Sequence, residues 1–135
     1  MKPEFMLDTN ICIYIAKNRP AQVKARFERL KPGQLVMSAI TYGELHYGAE
    51  KSNQQASALA QLAKMIQDVP VVDIGAIAAE AYGNIRAALE KQGGILGNND
   101  LWIAAHALSL GVTLTTNNER EFRRVAGLSV QNWVN

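Results

Sequence analysis

Apolar and polar positions follow two periods along the chain. Short strand-like stretches built on apolar residues occur at Met6-Leu7, 34–37, 69–72 and 112–115, with a last short one around Val130 at 129–131. Each has the length and flanking turn residues of a strand, and the first is read as starting at Phe5. Between them lie longer stretches with apolar residues three and four apart, which predict helices. Val23, Phe27 and Leu30 mark one over 21–31, with Pro20 at its first position. Ile40, Leu45 and Ala49, with Tyr42 beside them, mark one over 39–50. Leu59, Leu62, Ala63 and Ile66 mark one over 56–67, which pairs antiparallel with its predecessor across a short loop. Ile77, Ala81, Ile85, Ala88 and Leu89 are the predicted core face of 74–92, which Gly93-Gly94 ends. Short helices are predicted at 11–17 and from Asn118 to about 125.

The most apolar stretch lies between Asn98 and Gly111. Leu101, Ala104, Ala105 and Leu108 form a stripe, and Ile103, Ala107 and Leu110 widen it. A helix apolar on most sides is a buried helix. Asn98 or Asn99 is the expected cap, and Gly111 suits a left-handed stop. Strands alternating with helices predict an α/β fold in three layers, a central, mostly parallel sheet flanked by helices. Pro70 assigns its strand to an edge or makes it a strand start.

Composition narrows this picture only a little. At 135 residues and 48% hydrophobic content, the chain fits one domain with a real core. No apolar run reaches membrane-spanning length, and no secretory h-region is visible, so no membrane role is expected. The single cysteine, Cys12, lies among Ile11, Ile13 and Ile15. It reads as a buried apolar residue in a protein of the reducing cytoplasm. Residues 1–5 precede a second methionine, Met6, and are read as a non-native extension of a domain spanning 6–135. The net charge of +2 permits nucleic-acid contact through a local patch without demanding it. Lys24, Arg26, Arg29 and Lys31 give helix 21–31 a basic side, either an ordinary solvated face or a face toward phosphate. Asp68 and Asp73 read as solvated turn acids.

Candidate chemistry rests on acids. Asp8 follows the first strand, Glu44 lies about two helical turns beyond the second, and Asp100 opens the buried helix. Asn118 and Glu121 follow strand 112–115. Each has a structural alternative. Asp8 is a good N-cap, Asp100 suits the positive end of a helix, and Thr41-Tyr42-Gly43-Glu44 matches a capping box. Ser38 competes as the cap of the same helix, and if it caps, Glu44 comes too late to do so. With parallel strands, all five residues gather at one sheet edge. Carboxylates sharing a cleft repel and hold protons unless a cation offsets them. Oxygen donors without thiolates or paired histidines favour Mg²⁺ or Mn²⁺ over Zn²⁺. Such a site suits phosphodiester cleavage. His46 and His106 both fall off the faces of the neighbouring acids, and His106 is read as a packing histidine. Trp102 is assigned to packing, with cleft lining as the alternative. No P-loop, Ser-His-Asp set or zinc spacing is present. A dehalogenase-type phosphatase is disfavoured because Asn10 stands where its second aspartate belongs. A DNA flap-type nuclease normally carries more acids, and a non-catalytic binding module leaves the three acids unexplained.

Four motifs in order carry a resemblance. Met6-Leu7-Asp8-Thr9-Asn10, Ser38 to Leu45, Gly97 to Ala107 and Thr116 to Phe122 resemble the PIN domain, and more narrowly the VapC toxins of bacterial toxin–antitoxin pairs. The resemblance implies a Mg²⁺-dependent endoribonuclease with Asp8, Glu44 and Asp100 as catalytic acids, and with Asp8 and Asp100 holding the metal. Asn118 stands where many relatives carry a fourth acid, which leaves Glu121 as a substitute or accessory group and puts a second metal in question. The Gly97-Asn98-Asn99-Asp100-Leu101-Trp102 form resembles the enteric branch that cuts initiator tRNA in its anticodon stem-loop and so inhibits translation. Family likeness further implies a VapB-type antitoxin, a homodimer, larger toxin–antitoxin assemblies, and operator DNA bound only through the antitoxin. The apolar surfaces of 21–31 and of the pair 39–67 are the expected docking grooves.

Overall fold

The first apolar run forms the central strand. In the computed structural model, which describes residues 2–134, β1 (Phe5–Leu7) lies between β2 (Leu35–Ser38) and β4 (Thr113–Thr115). β3 (Val71–Val72) and β5 (Val130–Gln131) form the two edges, giving the order β3-β2-β1-β4-β5. All four pairings are parallel, with Met6 opposite both Val36 and Leu114. The helices are α1 (Thr9–Ala16), α2 (Ala21–Glu28), α3 (Ala39–Glu50), α4 (Gln55–Asp68), α5 (Ala76–Gln92), α6 (Asn98–Leu110) and α7 (Glu119–Phe122). Pro70 precedes the edge strand β3 and costs the sheet no ladder donor there.

Strand periodicity builds the three layers. Side chains alternate between sheet faces, so Leu7, Leu35 and Met37 join one core with Ile11, Cys12 and Val23. Met6, Val36 and Leu114 join the other with Ile85, Leu101, Ile103 and Phe122. The helix predicted to be buried is so: Leu101 and Ile103 through Ala107 are all within 2% of complete burial. Gly111 ends it at φ 68°, and Gly93 ends α5 at φ 75°. Glycine reaches that region without the Cβ penalty other residues meet.

Several details differ from the sequence reading. Leu110, expected to widen the buried stripe of α6, is 40% exposed, and α7 ends at Phe122 rather than near Val125. Ile77 is 71% exposed, and Ala88 is exposed too. The buried stripe of α5 runs through Ala78, Ile85 and Leu89, which turns Ile77 outward by one residue's rotation. Ala63 is also exposed, so α4 buries Leu62 between partly buried Leu59 and Ile66. Gly97 is the cap residue of α6, without a side-chain bond, because the helix already begins at Asn98 and places both asparagines in its first turn. Pro20 is likewise the cap of α2 rather than its first helical residue. At the other end of the chain, Glu4 and Phe5 belong to the sheet. Glu4 N–H donates to Gln34 O at 2.9 Å and Thr113 N–H donates to Glu4 O at 2.9 Å. Phe5 packs edge-on against Trp133, 5.8 Å between ring centres. Met1 of the predicted extension lies outside the described residues.

Candidate active site

The chain leaves β1 toward β2 on one side and pairs with β4 on the other. The crevice beyond the carboxyl end of β1 is therefore the switch point of the sheet, where open α/β folds bind ligands. Asp8 is the first residue past β1, 5% exposed. Its two readings coexist. Its Oδ1 accepts from Ile11 N–H at 3.0 Å and caps α1, while the same carboxyl group feels the charges of Asp100 and Glu44. The Thr116 hydroxyl donates to the same carboxylate and also accepts from Asn118 N–H at 2.9 Å.

α6 leads into β4, so its first turn lies at the same end of the sheet and brings Asp100 there. Burial pushes the Asp8 carboxyl up to about 6, and the charges of Asp100 and Glu44 add to the rise. Asp100 is raised by burial, then by Glu44 and Glu121. Those mutual effects identify one electrostatic cluster drawn from four distant segments. Asn118 stands beside it, donating through Nδ2 to Glu121 Oε2 at 3.3 Å.

Glu44 does not cap its helix. Ser38 caps α3, its Oγ accepting from Ile40 N–H at 3.1 Å, and Glu44 sits in the second turn. Its Oε1 accepts from the Thr9 hydroxyl at 2.5 Å and its Oε2 from Asn99 Nδ2 at 3.3 Å. Thr9 Oγ1 also lies 3.3 Å from the buried Thr41 hydroxyl. Thr9, Thr41, Asn99 and Thr116 are the supporting residues that sequence reasoning missed. The visible signal was a polar residue immediately after Asp8 and immediately before Asp100.

The histidines stay outside the cluster. His106 is 1% exposed and its Nδ1 lies 2.8 Å from Ser38 Oγ. Burial lowers its pKa, against an opposing hydrogen bond to the Asp73 backbone. His46 lies edge-on to Tyr42 and 3.7 Å from Glu50. Trp102 stacks on Tyr82 at 3.9 Å, which supports its packing role. Asp68 and Asp73 are exposed as expected. Cys12 is fully buried, and burial holds its thiol protonated. Arg26, on the basic face of α2, lies over Trp133 and donates to Gln131 Oε1 at 3.0 Å.

The donor set can be weighed as a cation site. Among the described residues no three His, Cys, Asp or Glu side chains form a ready-made cage. Mg²⁺ does not need one, since it keeps several waters and binds through one or two carboxylates. Asp8 and Asp100 offer oxygen donors that are both destabilised as anions, which is the condition a divalent cation relieves. The residues fit a hard cation.

Comparison with known proteins agrees with this architecture. The PIN domain family matches residues 5–128. The chain is 47% identical over 130 residues to a tRNA(fMet)-specific endonuclease VapC of Shigella flexneri, covering 96% of this chain and 98% of that one. It is 44% identical over 131 residues to ribonuclease VapC2 of Haemophilus influenzae, covering 97% and 98%. Among solved structures, DNA-bound VapBC from Salmonella typhimurium superposes with a TM-score of 0.91 at 41% identity, covering 97% and 98%.

Proposed function

We propose that this chain, which belongs to the PIN domain family, is a VapC-type toxin: a Mg²⁺-dependent endoribonuclease that cuts initiator tRNA in its anticodon stem-loop and so stops translation. The observation that carries the reading is the meeting of Asp8, Glu44 and Asp100, from three separate elements, at the carboxyl end of the central strand. Likeness to named VapC ribonucleases across nearly the full chain supports the RNA substrate. A folded tRNA loop suits such a site because its unstacked bases can be splayed out and read.

Asp8 and Asp100 would hold the cation, Mg²⁺ or Mn²⁺, through carboxylate oxygens. When bound, the ion supplies charge neutralisation at a phosphate oxygen and a more acidic attacking water. The chain's own groups prepare that site. Ile11 N–H and the Thr116 hydroxyl fix the Asp8 carboxylate. Thr9 and Asn99 fix Glu44, which is left as a third negative group at the crevice. Asn118 donates to Glu121, which adds accessory negative charge beside Asp100.

A VapB-type antitoxin is the proposed partner, by likeness to the VapBC complexes. The predicted docking surfaces line two grooves of about 270 and 300 Å³ that share Ala16, Gln61 and Met65. Phe27 lies at one end, and Leu45, Leu62 and Glu44 at the other. An amphipathic segment laid along them would reach the acidic crevice. A homodimer, larger toxin–antitoxin assemblies, operator DNA bound through the antitoxin and a cytoplasmic location belong to the same reading.

The test incubates purified protein with total tRNA in Mg²⁺ or in EDTA and maps the cut ends. Cleavage in the initiator anticodon loop that needs Mg²⁺ and is lost in Asp100→Asn is the expected result. Equal cleavage by Asp100→Asn defeats the mechanism. Metal binding without cleavage of any RNA favours a non-catalytic binding module.

A further inference from the structure

We propose that Thr9 and Asn99 are positioning residues acting through Glu44, whose carboxylate is a strut that sets the separation of Asp8 and Asp100. The inference rests on the nuclease reading above and assigns Glu44 a way of working within it. The two residues are the immediate chain neighbours of the two aspartates: Thr9 follows Asp8, and Asn99 precedes Asp100. Both reach the same side chain, across 35 and 55 residues of sequence. Thr9 donates to Oε1 at 2.5 Å and Asn99 to Oε2 at 3.3 Å, so each oxygen of Glu44 serves one aspartate-bearing helix.

The surrounding contacts make this a frame. Thr41 lies one turn before Glu44 on the same face of α3 and sits 3.3 Å from the Thr9 hydroxyl, which gives α1 a second tie to α3. Ser38, the cap of α3, meets His106 of α6 at 2.8 Å, which gives α6 a second tie to the same helix. α3 therefore links the two helices whose first residues carry Asp8 and Asp100. A carboxylate is the side chain that can receive two donors from opposite sides on two equivalent oxygens. Gln in its place keeps only one acceptor oxygen. The Thr9 bond is partly buried, whereas the Asn99 bond is long and exposed, so Thr9 carries the larger share.

The test measures Mn²⁺ affinity by titration alongside kcat and KM on RNA. Groups that orient metal-binding side chains typically change metal affinity about 10- to 100-fold when lost. Thr9→Val keeps the shape and removes the donor. It should weaken Mn²⁺ binding roughly 10-fold and lower kcat, with KM for RNA and the thermal midpoint nearly unchanged. Thr9→Ser should restore both. Asn99→Ala, at an exposed site that does not threaten folding, should act in the same direction with a smaller effect. In a Glu44→Ala background, Thr9→Val should cost nothing further, because the partner it acts through is gone. Wild-type Mn²⁺ affinity in Thr9→Val, failure of Thr9→Ser to rescue, or an undiminished effect in the Glu44→Ala background overturns the proposal. The metal-affinity pattern without any RNA cleavage supports the strut and removes the ribonuclease. Cleavage without the pattern removes the strut alone.

Discussion

Replacing Asp8 with Asn should stabilise the metal-free protein while abolishing cleavage. The side chain is 5% exposed and its carboxyl is pushed from 3.8 up to about 6, by burial first and by Asp100 and Glu44 next. Asn keeps the shape and an oxygen for Ile11 N–H, and it caps helices as well as Asp does. What changes is the charge. Each tenfold displacement of a protonation equilibrium is worth about 1.4 kcal/mol, so ionised Asp8 costs the fold about 3 kcal/mol at pH 8. The folded state holds its proton to higher pH than the unfolded chain. This contribution to stability is therefore full below pH 3.8 and is lost as pH rises through about 6.

Urea unfolding in EDTA reads this directly. With a slope of about 1–3 kcal/mol per molar, Asp8→Asn should unfold roughly 1–3 M later than wild type at pH 8, and the gap should close near pH 4. Added Mg²⁺ should reverse the order, since ligand at about 1,000 times its Kd stabilises the binder by ~4.1 kcal/mol and gives the variant nothing. An Asn variant no more stable than wild type in EDTA at pH 8 refutes the reasoning. So does a gap indifferent to pH, which would tie the effect to packing rather than charge.

Other outcomes follow from the same contacts. His106 has a lowered pKa from burial, so its contribution is full above pH 6.5 and is lost as pH falls below it. In the Asp8→Asn background, stability should decline on acidification through pH 6.5, and His106→Gln should flatten that slope in urea melts. Ser38→Ala removes the cap on Ile40 N–H and the partner of His106, and should cost about 2–4 kcal/mol by denaturant unfolding. A chain starting at Met6 loses both Glu4 backbone bonds and the Phe5–Trp133 contact. It should melt earlier by about 2–3 kcal/mol, at roughly 1 kcal/mol per hydrogen bond plus the lost burial. An unchanged melting midpoint would show that residues before Met6 contribute no stability.

Elements with strong local signals were legible before the fold was seen. Helix α3 was bounded correctly at Ala39 and Glu50 because Ser38 is a good cap and apolar spacing resumes at once. The burial of α6 followed from having no polar face. The phase of α5 did not follow, since Ile77 and Ala78 are both apolar and only the packing partner decides which turns inward. The pairing of β1 with β4 joins residues more than a hundred apart, and no local pattern encodes it. Asp8 and Asp100 were found because each sits beside a strand end or helix start, and Glu44 because Ser38 already supplies the cap of its helix. Their supports were not, because a hydroxyl that bonds across 35 residues reads locally as an ordinary cap.

The acid positions also explain how four carboxylates share one crevice without unfolding it. Asp8 caps α1 and Asp100 occupies the first turn of α6, so both sit at positive helix ends. Such placement returns about 0.3–1 kcal/mol each, up to ~2 when partly buried. That offsets part of the burial cost and all too little of it, as the raised Asp8 carboxyl records. The helix ends therefore make the cluster tolerable, and they leave an unmet demand for positive charge at this edge. An RNA phosphate approaching the same edge meets repulsion from Asp8, Glu44 and Asp100 until that demand is met. The mildly basic net charge of +2 does not cancel a local field of opposite sign, so affinity for cation and for phosphate must rise together.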